Sequence, residues 1–372
     1  MEAHEDLLRW ATGEGVQLHG IEPQRIPGRG IGLIATRGLK ADEVLLEVPT
    51  SLLRTLDTVP KRIARKLPKK LTIHGLLAAD LALNKSVKYD IWNAVTPTRE
   101  DIWATLPLTW DTKLHEFLPR PAKDLLNKQI AKIKLDWSMV LEAFPSLAYD
   151  DYLYAWLLVN TRTFHYTTAK TEKFAPPDCM ALQPVADLFN HSDEGCGVQF
   201  DTESFAITSM RPYAAGEEVH ISYGSHSNDF LLVEYGFVMD HNRWDEVCID
   251  DIILPQLSSE QKNKLEQRDF LGKYIIDSES VCYRTQVALR ILCLPENKWK
   301  AFVDGVDDGE AEQKKIDRFL LSLLKKYEPT VKKILLQVEA LKVGQDGHRA
   351  MLSTRWQQIQ ALLAATIKRL GS

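Results

Sequence analysis

The sequence predicts an α+β fold: a β-rich core interrupted by helices and followed by an all-helical C-terminal region. Three observations predict it. Glycines at 28, 30, 32 and 38 punctuate a strand-like stretch that leads into the apolar run 44–49. Partial period-two alternation recurs in 205–210 and 218–223. After about Asp250 the spacing becomes helical, with Ile316, Phe319, Leu320, Leu323 and Leu324, then Val331, Ile334, Leu335 and Val338 beyond Pro329. A chain of 372 residues, 45% hydrophobic and 26% charged, has the length of about two or three domains and can bury a large core.

The elements follow in order. Gly30, Gly32 and Ala35 formally satisfy a dinucleotide-binding fingerprint, but a β-rich run ending in Pro49 follows where that fingerprint needs a helix N-terminus. A tight turn is the reading that remains. Residues 55–146 contain helix-like stretches at 73–83 and 125–133. A further apolar helix-like stretch, 149–164, delivers Arg162 and Phe164 at its end. The segments 205–210 and 218–223 read as two short strands joined through Ala214-Ala215-Gly216. On the second, Val219, Ile221 and Tyr223 share one face, so two aliphatics anchor the strand while the Tyr223 phenol ends at its rim. Ser225, Ser227 and Asn228 offer capping oxygens for a helix over 229–235, with Tyr235 a turn above Leu231 and Gly236 closing it in a left-handed conformation. Residues 304–310 read as an exposed loop.

Composition excludes several classes. A net charge of −5 gives sequence-independent nucleic-acid binding no global support. The basic run 61–70 reads first as a solvated face, with an import signal or an acidic-substrate patch left open. Nothing near Met1 resembles a secretory signal and no apolar run approaches about eighteen residues, so an intracellular chain without a membrane partner is expected, cytoplasmic with a nuclear setting as the alternative. Cys179, Cys196, Cys248, Cys282 and Cys293 are scattered without C-x-x-C spacing, which argues against a disulfide framework and a structural zinc site; no metal is expected.

The motif Asp187-Leu188-Phe189-Asn190-His191, paired with Ile221-Ser222-Tyr223-Gly224, resembles the paired active-site motifs of SET-domain protein methyltransferases. The glycine-rich 28–39 segment resembles that family's opening hairpin. The 149–164 stretch is similar to the helix entering the core in the Rubisco large-subunit methyltransferase branch. The resemblance is strong over 28–49 and 149–240 and weaker elsewhere. It implies a SET domain over 18–240 with a pseudoknot and a helical insert at about 55–146. It also implies a helical substrate-binding domain over 250–372. The implied cofactor is S-adenosylmethionine, held by backbone of Arg29, Gly30 and Ile31, by Asp187, Asn190 and His191, by Tyr223 and Tyr235, and by Arg162, whose guanidinium suits a carboxylate.

The implied reaction is in-line methyl transfer to a deprotonated lysine of a non-histone protein. Ribosomal proteins, translation factors and metabolic enzymes are the substrate classes of relatives. Phe164, Tyr223 and Tyr235 would wall the lysine channel, Tyr223 would be the catalytic residue, and no dedicated general base is assigned. Lysine-methylating members tend to carry an aromatic residue where Phe164 stands, whereas a histidine-methylating relative has a polar one. Histidine methylation and an inactive binding module are the alternatives, and a monomer is expected. Taken singly, Asp187 and Asn190 read as backbone caps, Tyr235 as core and Arg162 as half of an ion pair. The ordered combination carries the functional reading. The departure from the family pattern is the short, cysteine-containing loop 193–197.

Overall fold

The glycine-punctuated segment forms a hairpin whose sheet order is not that of the chain. In the computed structural model, which describes residues 2–371, the strands in chain order are β1 (Gln17–Leu18), β2 (Ile21–Ile26), β3 (Gly30–Ala35), β4 (Val44–Pro49), β5 (Phe164–His165), β6 (Met180–Ala181), β7 (Asn190–Phe200), β8 (Ser204–Thr208) and β9 (Glu218–Ile221). All but the separate β5–β6 pair lie in one sheet of order β1-β4-β8-β7-β9-β3-β2. The hairpin is β2–β3, turned through Gly28 and Gly30 at φ +77° and +81°. The run 44–49 pairs instead with β1 and β8, through a bulge between Val44 and Leu46. Alternation decides the buried face: Val219 and Ile221 of β9, and Phe205 and Ile207 of β8, are all at most 2% exposed.

These strands belong to a unit of Met1–Trp103 and Asn127–Ser225. The chain's helices up to this point are α1 (Ala3–Gly13), α2 (Lys61–Ala64), α3 (Ile73–Leu83), α4 (Asp90–Asn93), α5 (Arg99–Thr105), α6 (Thr112–His115), α7 (Arg120–Ala143) and α8 (Tyr149–Arg162). Helix α3 is capped by the Thr72 hydroxyl accepting from the Gly75 N–H, and it packs on α8. Between them His74 is 2% exposed and stacked on Trp156. Its Nε2 donates to the Trp156 carbonyl at 2.9 Å and its Nδ1 accepts from Lys132 at 3.1 Å, an arrangement only the neutral ring can satisfy. Burial, then the Lys132 charge, pull its pKa well below the usual histidine value.

The unfolded chain therefore takes up a proton below about pH 6.5 that the folded chain refuses, so stability falls as pH drops through that point and is unaffected above it. Thermal melts of the native chain should lose stability on acidification faster than those of His74→Phe, by about 1.4 kcal/mol per pH unit below 6.5. Parallel pH dependences would contradict this.

The second unit comprises Ala104–Leu126 and His226–Ser372. It holds the β10 (Glu246–Cys248) and β11 (Ile275–Asp277) pair and the helices α9 (Asn228–Tyr235), α10 (Asp250–Ile253), α11 (Ser259–Gln267), α12 (Tyr283–Cys293), α13 (Glu296–Val303), α14 (Glu310–Glu339) and α15 (Asp346–Gly371). The sequence-predicted end of α9 is present: Gly236, at φ +80°, donates to the Leu231 and Leu232 carbonyls at 3.0 and 3.2 Å. Its start differs, because the Asp245 carboxylate rather than a serine hydroxyl receives the Asn228 N–H, at 3.0 Å. Arg355 of α15, fully buried, donates to Asp229 at 2.7 Å, to Asp245 at 2.8 Å and to the Glu246 carbonyl at 3.0 Å, pinning α15 to α9 and β10. Helix α14 runs through Pro329 without ending there. Val331 and Val338 beyond it are as buried as Ile316 and Leu320 before it, so packing outweighs the lost hydrogen bond. Among the described residues no helix is long and apolar enough to cross a membrane.

Candidate active site

Parallel pairing of β7 with β9 sets Asn190 opposite His220 and His191 opposite Ile221; after a bulge, Cys196 returns to the same Ile221. The loop 193–197 is thus part of a continuous strand that doubles over its partner. The crossing is close: a Cβ on Gly195 would stand 2.3 Å from the Ile221 carbonyl carbon and 2.4 Å from the Ser222 nitrogen.

This crossing brings Tyr223 against the Asn190-His191 segment. The Tyr223 N–H donates to His191 Nδ1 at 3.0 Å, and the two rings stack at 4.9 Å and 28°. Its hydroxyl donates to the Phe189 carbonyl at 2.8 Å. Burial pushes its pKa up to about 12; the Arg162 charge lowers it, and Asp187 and Glu218 raise it. The phenol is therefore neutral throughout the physiological range.

Arg162 is the last residue of α8. Its Nε donates to Asp187 Oδ2 at 3.1 Å and its Nη2 to the Asp187 carbonyl at 2.6 Å. Asp187 sits in a single 3-10 turn, 186–188, preceded by Val185 at φ +67°. A β-branched residue in the left-handed region stores about 1–3 kcal/mol of strain, a cost met only where the surroundings dictate the backbone. The Asp187 side chain is 1% exposed, and its Oδ1 has no hydrogen-bond partner among the described residues.

At the other end of the motif, the Asn190 amide donates to Glu218 Oε1 at 2.7 Å and Arg29 donates to Glu218 Oε2 at 2.9 Å. Gly32 fits beneath them, since a Cβ there would lie 2.7 Å from Glu218 Oε1 and 2.8 Å from Asn190 Nδ2. Gly30 instead faces open space, with nothing within 4 Å of a Cβ, and Ile31 pairs with Arg25 across the hairpin. The first unit therefore gathers Arg29, Gly32, Asn190 and Glu218 at one cluster and Arg162, Asp187, His191 and Tyr223 at another, joined through the 187–191 segment, while Gly30 stands open beside Arg29.

Phe164 begins β5, its ring edge-on to Phe205 at 5.5 Å and 79°. Tyr235 belongs to the second unit, half-buried at the end of α9, its ring 6.4 Å from those of Phe230 and Phe237. Two participants were not singled out from sequence. Glu218 was signalled only as a polar residue on the face of β9 opposite Val219 and Ile221. Trp92 of α4, whose Nε1 donates to Asp187 Oδ2 at 3.1 Å, had no local signal at all.

Residues 30–224 match the SET domain family model, and residues 245–369 match the Ribosomal lysine N-methyltransferase 2 C-terminal domain. Among curated proteins the chain is similar to SET domain-containing protein 4 of Homo sapiens, 26% identical over 340 residues, covering 83% of this chain and 77% of that protein. It is also similar to Ribosomal lysine N-methyltransferase set11 of Schizosaccharomyces pombe, 25% identical over 335 residues and covering 86% of each. Actin-histidine N-methyltransferase of Canis lupus familiaris is 27% identical over 271 residues, covering 66% of this chain and 44% of that protein. Among solved structures, Rubisco LSMT bound to AdoMet superposes with a TM-score of 0.63 at 18% identity, over 100% of this chain and 93% of that one. With the family model spanning more than half of the sequence, the chain belongs to the SET-domain methyltransferase family, with the fold of the Rubisco large-subunit type, and its cofactor is S-adenosylmethionine.

Proposed function

We propose that this chain methylates the ε-amino group of a lysine in a non-histone protein. The observation that carries the reading is Tyr223: a neutral phenol whose hydroxyl is held by the Phe189 carbonyl and whose ring is stacked on His191. The residues present fit the cofactor. Open space beside Gly30 admits a ligand against the hairpin backbone of Arg29, Gly30 and Ile31, and Arg162 offers unspent N–H donors to a carboxylate. Asp187, Asn190 and His191 border the same ground. Bound S-adenosylmethionine supplies an electrophilic methyl group on a cationic sulfur.

What the chain itself must do is present a neutral amine in line with that methyl group. A free lysine, pKa about 10.4, is neutral in only about one copy in a few thousand at pH 7. Aromatic walls from Phe164 and Tyr223 disfavour the charged form, the Tyr223 oxygen orients the amine, and the released proton goes to water. Residues 18–240 would form the catalytic SET domain, with 55–146 its insert, and 250–372 would dock the substrate. Relatives named for ribosomal lysine methylation make a ribosomal protein the leading substrate class and a cytoplasmic setting the natural one.

Histidine is the second reading, favoured by the similarity to actin-histidine N-methyltransferases. Incubation with methyl-labelled S-adenosylmethionine and a protein extract, followed by mass-spectrometric mapping of labelled residues, separates the two. Labelled lysine is the expected product. Labelled histidine would replace this reading with the second, and cofactor binding without labelling of any protein would favour a binding module. Phe164→Asn should lower the lysine rate about ten-fold, the order of a lost buried aromatic contact. An unchanged lysine rate would remove Phe164 from the channel.

A further inference from the structure

We infer that Trp92, in the helical insert, is a positioning residue for Arg162, acting through the shared carboxylate of Asp187 to keep guanidinium donors free for a carboxylate-bearing ligand. The inference rests on the cofactor reading above and adds a residue to it. Trp92 Nε1 and Arg162 Nε both donate to the same oxygen, Asp187 Oδ2, each at 3.1 Å. The Arg162 Nη2 goes to the Asp187 backbone carbonyl rather than to Oδ1, and Oδ1 stays unpartnered although the side chain is 1% exposed.

Left to itself, a buried arginine–aspartate pair prefers the two-pronged arrangement in which two guanidinium N–H groups meet both carboxylate oxygens. Here it does not form. A second donor from Trp92 holds the carboxylate through Oδ2, and the arginine spends two of its five N–H groups on Asp187. Nη1 makes no bond to it. Those remaining donors are what an amino-acid carboxylate requires. The indole, 3% exposed, is itself fixed: it meets Tyr89 edge-on at 6.2 Å, and Tyr89 lies 4.2 Å beneath the Arg54 guanidinium, which is paired with Asp80 at 2.6 Å.

Trp92→Phe keeps an aromatic ring on Tyr89, deletes the N–H and shrinks the buried ring. The Asp187 carboxylate is then free to swing onto Arg162 in the two-pronged form and consume a further donor. The test is isothermal titration of the full chain and this variant with two probes: S-adenosylhomocysteine, which carries the amino-acid end, and methylthioadenosine, which lacks it. Losing one oriented bond to a charged group should raise the Kd for S-adenosylhomocysteine about ten-fold, and that for methylthioadenosine by less than about two-fold. In an Arg162→Lys background, Trp92→Phe should have no further effect on S-adenosylhomocysteine.

Equal weakening of both probes would make Trp92 structural only and overturn the inference. So would an unchanged S-adenosylhomocysteine affinity, or the same loss in both backgrounds. Failure of the unaltered chain to bind S-adenosylhomocysteine would instead overturn the cofactor reading.

Discussion

Tyr223→Phe is expected to lower kcat by about 10²–10³-fold, the scale for removing one preorganised hydrogen-bonding group from a reacting centre. The ring would remain stacked on His191, and the backbone bond from residue 223 to His191 Nδ1 would be untouched. Only the hydroxyl, with its 2.8 Å bond to the Phe189 carbonyl, is lost. Cofactor affinity and Tm should therefore change little, and a large drop in either would mean that the hydroxyl supports structure rather than turnover.

The pH profile of the unaltered enzyme adds an independent check. Because burial holds the Tyr223 phenol at a pKa of about 12, it stays protonated while the acceptor amine deprotonates. The logarithm of kcat/KM should rise by about one per pH unit from 7 to 9, with no descending limb from the phenol in that range. A fall near pH 9 would point to an ionising group that the site as described does not contain.

Gly195→Ala is expected to destabilise the first unit by more than about 4 kcal/mol, the range reserved for backbone clashes that nothing can relieve. Its added carbon would sit 2.3 Å from the Ile221 carbonyl carbon, and both obstacles are main chain held by strand pairing, not side chains that can turn aside. The corresponding fall in Tm is about 8–16 °C or complete failure to fold. Gly38→Ala, where nothing lies within 4 Å of the new carbon and φ is not positive, is the matched control and should be near neutral. If the two variants melt together, the crossing of β7 over β9 is looser than these distances require.

The part of this fold that could be read from sequence is the part that local chemistry dictates. The α8 periodicity, the buried face of Val219 and Ile221 and the left-handed Gly236 each follow from a few neighbouring residues. Strand order does not: β4 leaves the hairpin for β1 and β8 because pairing partners are chosen by the whole sheet. The helical spacing on either side of Pro329 leaves open whether one helix or two lie there; tertiary burial on both sides carries α14 through it. Within the site, motif residues such as Asn190, His191 and Tyr223 were legible because they cluster in the chain. Glu218 was half legible, as a polar residue at an alternating position. Trp92 was not, because its meaning lies in a contact with Asp187, 95 residues away in the chain, which it meets only in the folded protein.

The position of β9 between β3 and β7 has a consequence for synthesis. Strand β3 cannot be covered on that side until the ribosome has made everything from Ala35 to Glu218, which at usual elongation rates takes about 10–40 s. For that interval the nascent chain carries an apolar, glycine-rich edge with no partner, the kind of template on which other chains pair. Chains halted between α8 and β9 should need chaperone protection to stay soluble, and closure of the sheet by β9 is the step that ends this exposure.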